Sequence, residues 1–370
     1  MKSIHQTRQD EVREKAEILR KYMAQDAFDA IVLTTSANIA WITAGARTYI
    51  NIATDGAQGY VIVTPNKLIM LTDSVEAPRM KDEEQLEAAG FEFFIEPWHT
   101  RGNVANTLLT GKRIASDSLD FGADYRAQIK QLRSVFTEGE RDKMRIIGAE
   151  AAEAISEVMY DIQPGMTEFE ISGLLSEAAY ARGGLATVNL VASDERIFNY
   201  RHPLPTTKEI DKYVMVVLCY RKFGLVASVT RLAHFGAIPD DILRRANAVG
   251  QADTDLILGT QAGKTMGDMF DIVRSSYARS GFAEAIEQHH QGGSVGYAPR
   301  EFLALPSSEV PIAANQSFAW NPSVSGCKSE DTIVLTQQGI EVITEVSGWP
   351  VKEFTANGKS LARPSILEIV

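Results

Sequence analysis

Apolar positions near the start of the chain recur at helical spacing. Val12, Ala16, Leu19 and Met23 lie four, three and four residues apart, which puts them on one face and predicts an amphipathic helix. Asp29 to Thr35 follows as a short apolar run that reads as a buried strand. Gly59 to Val63 and Lys67 to Leu71 read as two more, separated by the turn former Pro65-Asn66. The pattern predicts a mixed sheet covered by helices. A polar stretch from Ser134 to Arg141 then leads to a long amphipathic helix with the face Met144, Ile147, Ala151, Ile155 and Val158. The expected domains are therefore residues 1–137 and 138–370.

The second stretch repeats itself weakly. Gln163-Pro164-Gly165-Met166-Thr167-Glu168-Phe169-Glu170-Ile171 is echoed by Gln261-Ala262-Gly263-Lys264-Thr265-Met266-Gly267-Asp268-Met269. In each copy a threonine stands three residues before an acid, Glu170 or Asp268, the arrangement of a capping box. Two helices are expected to open in the same way.

Composition narrows the class. Hydrophobic residues make up 45% and charged residues 23% of the 370, values of an ordinary globular protein. The net charge of −11, without a Lys/Arg run, argues against nucleic acid and anionic membrane as partners. Two cysteines, Cys219 and Cys327, cannot build a disulfide framework and fit a reducing compartment. The polar segment Met1 to Glu17 lacks a signal core, and no apolar run reaches the length of a membrane span. A cytoplasmic protein is expected.

Four segments concentrate chemistry. Asn199 to Thr207 is a loop by its prolines and carries His202, whose imidazole can move protons near neutrality. Val214 to Arg231 reads as a hairpin turning at Phe223-Gly224, with Arg231 as a structural ion-pair residue. His289 to Glu301 brings His289, His290, Tyr297, Arg300 and Glu301 around three glycines that would let the backbone approach a ligand. Adjacent residues of a strand point to opposite faces, so at most one of His289 and His290 is expected to face the site. Trp320-Asn321-Pro322 and Gly326 to Thr332 complete the set, with Glu330 and Asp331 at a strand start.

In this order the four segments resemble the pita-bread family of creatinase, prolidase, aminopeptidase P and methionine aminopeptidase, over nearly the whole chain. The resemblance implies an α+β protein: a pita-bread C-terminal domain of two pseudo-repeated halves behind a creatinase-like α/β N-terminal domain. The family's peptidases hold two metal ions with two Asp, one His and two Glu. Gly224 and Thr230-Arg231 set the register and put Val217 and Ser228 at the Asp positions. Gly296 puts Gly293 at the His position and Arg300-Glu301 at a following His-Glu pair. Asn321 stands at the first Glu position, and Glu330 alone remains. Val217 and Gly293 offer no side-chain donor, so the two-metal mechanism is not expected.

Creatinase, which works without metal, is the nearer relative in motif logic. His202-Pro203-Leu204-Pro205-Thr206-Thr207 is similar to its catalytic segment, and Arg300-Glu301 to its Arg-Glu pair. The resemblance implies a metal-independent hydrolase cleaving a C–N bond in a small carboxylate-bearing compound. His202 would carry protons, Glu301 or Glu330 would position or activate water, and Arg300 would pair with the carboxylate. His289, His290, Tyr297, Asn321 and Arg47 would line the substrate. No cofactor or metal is expected. The partners would be a small-molecule substrate and a second copy of the chain, whose N-terminal domain would contribute to the cleft. The alternatives are an Xaa-Pro-type metallopeptidase with ligands rearranged among His289, His290, Glu301 and Glu330, and a non-catalytic homologue that binds a small molecule or peptide.

Overall fold

The computed structural model describes residues 5–100 and 102–370. The chain divides into two compact units, residues 1–143 with 223–225, and residues 144–222 with 226–370; the division falls within the helix Glu138–Asp161.

In the first unit the helix Arg8–Gln25 buries Val12, Ala16, Leu19 and Met23, the face its spacing predicts. Thr7 caps it by accepting from the Asp10 N–H. Six strands form a mixed sheet in the order Glu92–Glu96, Leu68–Asp73, Gly56–Val63, Ala30–Thr35, Ile114–Ser116 and Ala123–Asp124. The central strands Ala30–Thr35, Gly56–Val63 and Leu68–Asp73 pair antiparallel, and the outer ones add in parallel. Beneath the helix, buried charges cancel in pairs. Lys15 bonds Glu11 at 2.7 Å and Glu140 at 2.9 Å, and Lys143 bonds Glu11 at 2.8 Å.

The second unit contains two sheets. One orders the strands Leu367–Ile369, Leu225–Phe235, Tyr213–Lys222 and Leu185–Ser193; the other orders Phe302–Leu303, Gly292–Val295, Gln316–Trp320, Asp331–Thr336 and Gly339–Val342. The hairpin between Tyr213–Lys222 and Leu225–Phe235 turns through Phe223 (φ 58°) and Gly224 (φ 75°), two consecutive left-handed residues of the kind a tight hairpin turn requires. Both expected capping boxes form, Thr167 with Glu170 opening the helix Glu168–Ala181 and Thr265 with Asp268 opening Met266–Ser280. Met144, Ile147, Ala151, Ile155 and Val158 are all buried. Trp320 and Phe318 sit at the centre of the core, and the Trp320 indole N–H is satisfied by the Thr260 hydroxyl at 2.9 Å. Among the described residues, no helix is long and apolar enough to cross a membrane.

Candidate active site

His202 lies on the loop after the short helix Glu195–Asn199. A buried carboxylate fixes that loop. Glu168 Oε1 accepts the Ser193 N–H and hydroxyl at 2.8 and 2.9 Å, Oε2 accepts those of Thr206 at 2.9 and 2.8 Å, and Arg196 pairs with it as well. Burial alone would raise the Glu168 carboxyl. Arg196 and the hydroxyl and amide donors outweigh it and hold the group below the usual range. On the other side of His202, Arg201 Nη2 donates to Gln288 Oε1 at 2.8 Å, tying the loop to the segment that carries the other two histidines.

His289 leaves the helix Ala285–Gln288 in an extended conformation (φ −160°, ψ 149°). Gln291 Nε2 donates to its carbonyl, and the Tyr277 hydroxyl donates to Gln291 Oε1 at 2.5 Å, so a buried chain of bonds holds this backbone. His289 Nε2 stands 3.1 Å from His202 Nε2. The His289 and His290 rings stack with centroids 4.4 Å apart, and His290 is 5.6 Å from His202 by the same measure. Both neighbours therefore face one cluster, contrary to the strand alternation expected of them. The physical reason is position: the strand begins only at Gly292, and alternation holds only within pleated strand.

Burial favours the neutral form of all three imidazoles. It lowers His202 and His289, in each case with the Lys328 ammonium as the next cause, and it lowers His290 to about 4 with help from the Arg300 guanidinium.

The cations converge on Glu330. Lys328 Nζ lies 2.8 Å from Oε2, Arg300 Nη2 lies 3.0 Å from Oε1, and the Thr230 hydroxyl donates to Oε2 at 2.7 Å. Burial would raise this carboxyl, but Lys328 and then Arg300 hold it down to about 2. A carboxylate so strongly committed is a poor proton acceptor. Arg300 Nη1 also donates to the Pro299 carbonyl at 2.6 Å, and its Nε has no protein partner. The next residue, Asp331, enters a separate buried network. It meets Arg231 at 3.0 Å, Arg363 at 2.5 Å and the Thr344 hydroxyl at 2.7 Å, so Arg231 is the structural ion-pair residue its context suggested.

The five residues that the resemblance matches to the family's metal ligands offer a poor donor set. Val217 is apolar, the Ser228 hydroxyl is 3.2 Å from Cys219 Sγ, and Glu330 is bound to cations. Asn321 is buried with its Oδ1 unpartnered. At Gly293 a Cβ would fall 1.9 Å from the Phe302 carbonyl oxygen, so no side chain fits. Gly292, at φ +96°, would place its Cβ 2.3 Å from the Ala319 carbonyl oxygen. These two glycines serve the close approach of neighbouring strands, where the sequence suggested approach to a ligand.

Of the remaining expected residues, Glu301 is buried and accepts the Ala298 N–H at 3.1 Å within its own loop, and Tyr297 is buried. Arg47 lies in the first unit, largely exposed, 2.8 Å from Glu84. Lys328 and Glu168 were missed. Lys328 was legible in principle, since a residue two before Glu330 along extended chain shares its side. Glu168 was hidden by its place in the repeated helix-start motif.

Comparison with known proteins bears on the fold and the family. Bacillus anthracis Xaa-Pro dipeptidase superposes with a TM-score of 0.77 at 20% identity, covering 97% of this chain and 100% of that one. The N-terminal domain of the FACT complex subunit SPT16 from Cicer arietinum superposes with a TM-score of 0.66 at 11% identity, over 91% and 96%. YqhT of Bacillus subtilis, described as an uncharacterized peptidase, is 21% identical over 357 residues, 89% of this chain and 97% of its own. The architecture is thus the α+β pita-bread fold behind a prolidase-like N-terminal domain. Residues 142–337 match the model of metallopeptidase family M24, and the chain belongs to that family of hydrolases acting on C–N bonds.

Proposed function

We propose that this protein hydrolyses a C–N bond in a small carboxylate-bearing compound without the two-metal centre of its family. The observation that carries the reading is His202: a neutral imidazole at the solvent edge of a cluster whose inner member is the buried His289, beside two fixed cations and away from any carboxylate committed to it. His202 would take a proton from water as the hydroxyl attacks the carbonyl or amidine carbon. The C–N bond then breaks, and the same imidazole returns the proton to the departing nitrogen. Lys328 and Arg300 outnumber Glu330 in charge, and that excess suits an anionic substrate. Arg300 Nε is the donor left for its carboxylate.

Glu330 acts in this scheme by fixing the cations, and Glu301 by shaping its loop. Water activation falls to His202. Asn321, with an unpartnered carbonyl oxygen, would accept an N–H of the substrate. The reading also takes the protein to be a cytoplasmic homodimer in which the segment around Arg47 reaches the partner's cleft; light scattering that shows only monomer at micromolar concentration would count against the dimer.

The test is a screen of N-acyl amino acids, lactams and carboxyamidines with the purified protein in excess chelator. Turnover that survives chelator and is lost in His202→Ala supports the proposal. Turnover only after metal is added would overturn it, and binding without turnover would assign a non-catalytic role.

A further inference from the structure

His202, His289 and His290 each offer a ring nitrogen, and these atoms all lie within 4.8 Å of one another. None of the three is among the five residues that the resemblance matches to the family's metal ligands. Two nitrogens on one tetrahedral zinc ion, at bonds of about 2.0–2.1 Å, stand about 3.3 Å apart. His202 Nε2 and His289 Nε2 are already 3.1 Å apart, so their separation suits a shared ion, and each ring has only to turn its nitrogen from the other towards it. His290 stacks on His289 and has to close by at most about 1.5 Å to reach the separation of two nitrogens on one zinc ion, within reach of side-chain torsions.

The cluster is also held in place. His289 has its carbonyl bound by Gln291, which Tyr277 fixes, and the His202 loop is bound to the same segment through Arg201 and Gln288. Ligands delivered by two fixed loops lose little entropy on binding.

We propose that these three histidines form a mononuclear site for a borderline transition cation, Zn²⁺, Ni²⁺ or Cu²⁺. Imidazole donors favour these ions over Mg²⁺, Ca²⁺ and Mn²⁺, which want oxygen. Three protein ligands leave a fourth position open. The surrounding charge sets what fills it. Lys328 and Arg300 against the single carboxylate of Glu330 leave an excess positive charge beside the ion, so the fourth ligand is an anion such as hydroxide or a carboxylate. The ion would occupy the lone pair through which His202 is proposed to take a proton. The site therefore opposes hydrolysis, and its existence does not depend on the hydrolase reading.

The experiment is a calorimetric titration of the untagged, chelator-stripped full chain with Zn²⁺, repeated with Mg²⁺ and Mn²⁺, and a visible spectrum of the Co²⁺-loaded protein. One Zn²⁺ per chain at micromolar affinity or tighter is expected, with Mg²⁺ and Mn²⁺ at least a hundredfold weaker, and a cobalt spectrum of tetrahedral intensity. His290→Gln and His202→Gln, both at positions that reach solvent, should each weaken Zn²⁺ by more than about a hundredfold, the upper end of what losing a ligand's hydrogen-bond partner costs. Absence of Zn²⁺ binding at tens of micromolar, Mn²⁺ bound as tightly as Zn²⁺, or Zn²⁺ affinity unchanged in whichever of the two variants folds would each overturn the proposal.

Discussion

Lys328 Nζ and Glu330 Oε2 stand 2.8 Å apart with both side chains almost wholly buried. Removing one partner of such a pair leaves the other charge desolvated and uncompensated, which typically costs about 3–5 kcal/mol. Glu330→Gln should lower stability at neutral pH by about that amount in urea unfolding, because both Lys328 and Arg300 lose their counter-charge. The pH dependence follows the same group. With Glu330 held at about 2 against an ordinary 4.5, its contribution is complete above 4.5 and is lost as pH falls towards 2. Glu330→Gln should lack that part of the acid slope; an unchanged slope would show that the carboxylate is not held as described.

His202→Ala should reduce turnover by a factor of about a hundred to ten thousand, the usual contribution of a positioned proton-transfer group, with substrate affinity largely kept. Arg300→Ala should raise KM first, since an anchoring donor acts before the transition state as well as in it. Steady-state kinetics of the two variants separate these effects. Near-normal turnover in His202→Ala would end the assignment of the base.

The acid limb of kcat/KM should lie below 6.5. Burial and Lys328 lower His202, and the neutral imidazole is the form that accepts the proton, so activity should persist to lower pH than an ordinary histidine base would allow. A limb at or above 6.5 would mean that another group limits the reaction.

Gly293→His, which restores the family ligand at that position, should fail to rebuild a two-metal site and should destabilise the fold. A Cβ there would collide with the Phe302 carbonyl, and overpacking of this kind costs about 1–3 kcal/mol or more. Thermal melting and manganese analysis of the variant provide the check. A stable variant that retains manganese would show the strands to be more yielding than their spacing indicates.

The architecture was legible because its signals are local and periodic. Val12 to Met23 and Met144 to Val158 announce their buried faces by spacing, and Thr167 and Thr265 announce two helix starts. The site was legible only in its membership. That His289 and His290 share a side depends on the strand beginning only at Gly292, after both of them. That Glu168 holds the His202 loop depends on Ser193, Arg196 and Thr206 arriving from residues far along the chain. The glycines at 292 and 293 carry no mark in the sequence to tell approach to a ligand from approach to a strand; only Ala319 and Phe302 decide it.

An ion held by ligands has a dissociation constant, so its occupancy follows supply and can be stripped or exchanged. Lys328 and Arg300 meet Glu330 as cations fixed to the backbone. Their occupancy is complete from the moment the chain folds, and it is indifferent to chelators and to scarcity of any element. The charge that these two side chains supply cannot be stripped or exchanged; a change in it has to be written into the gene.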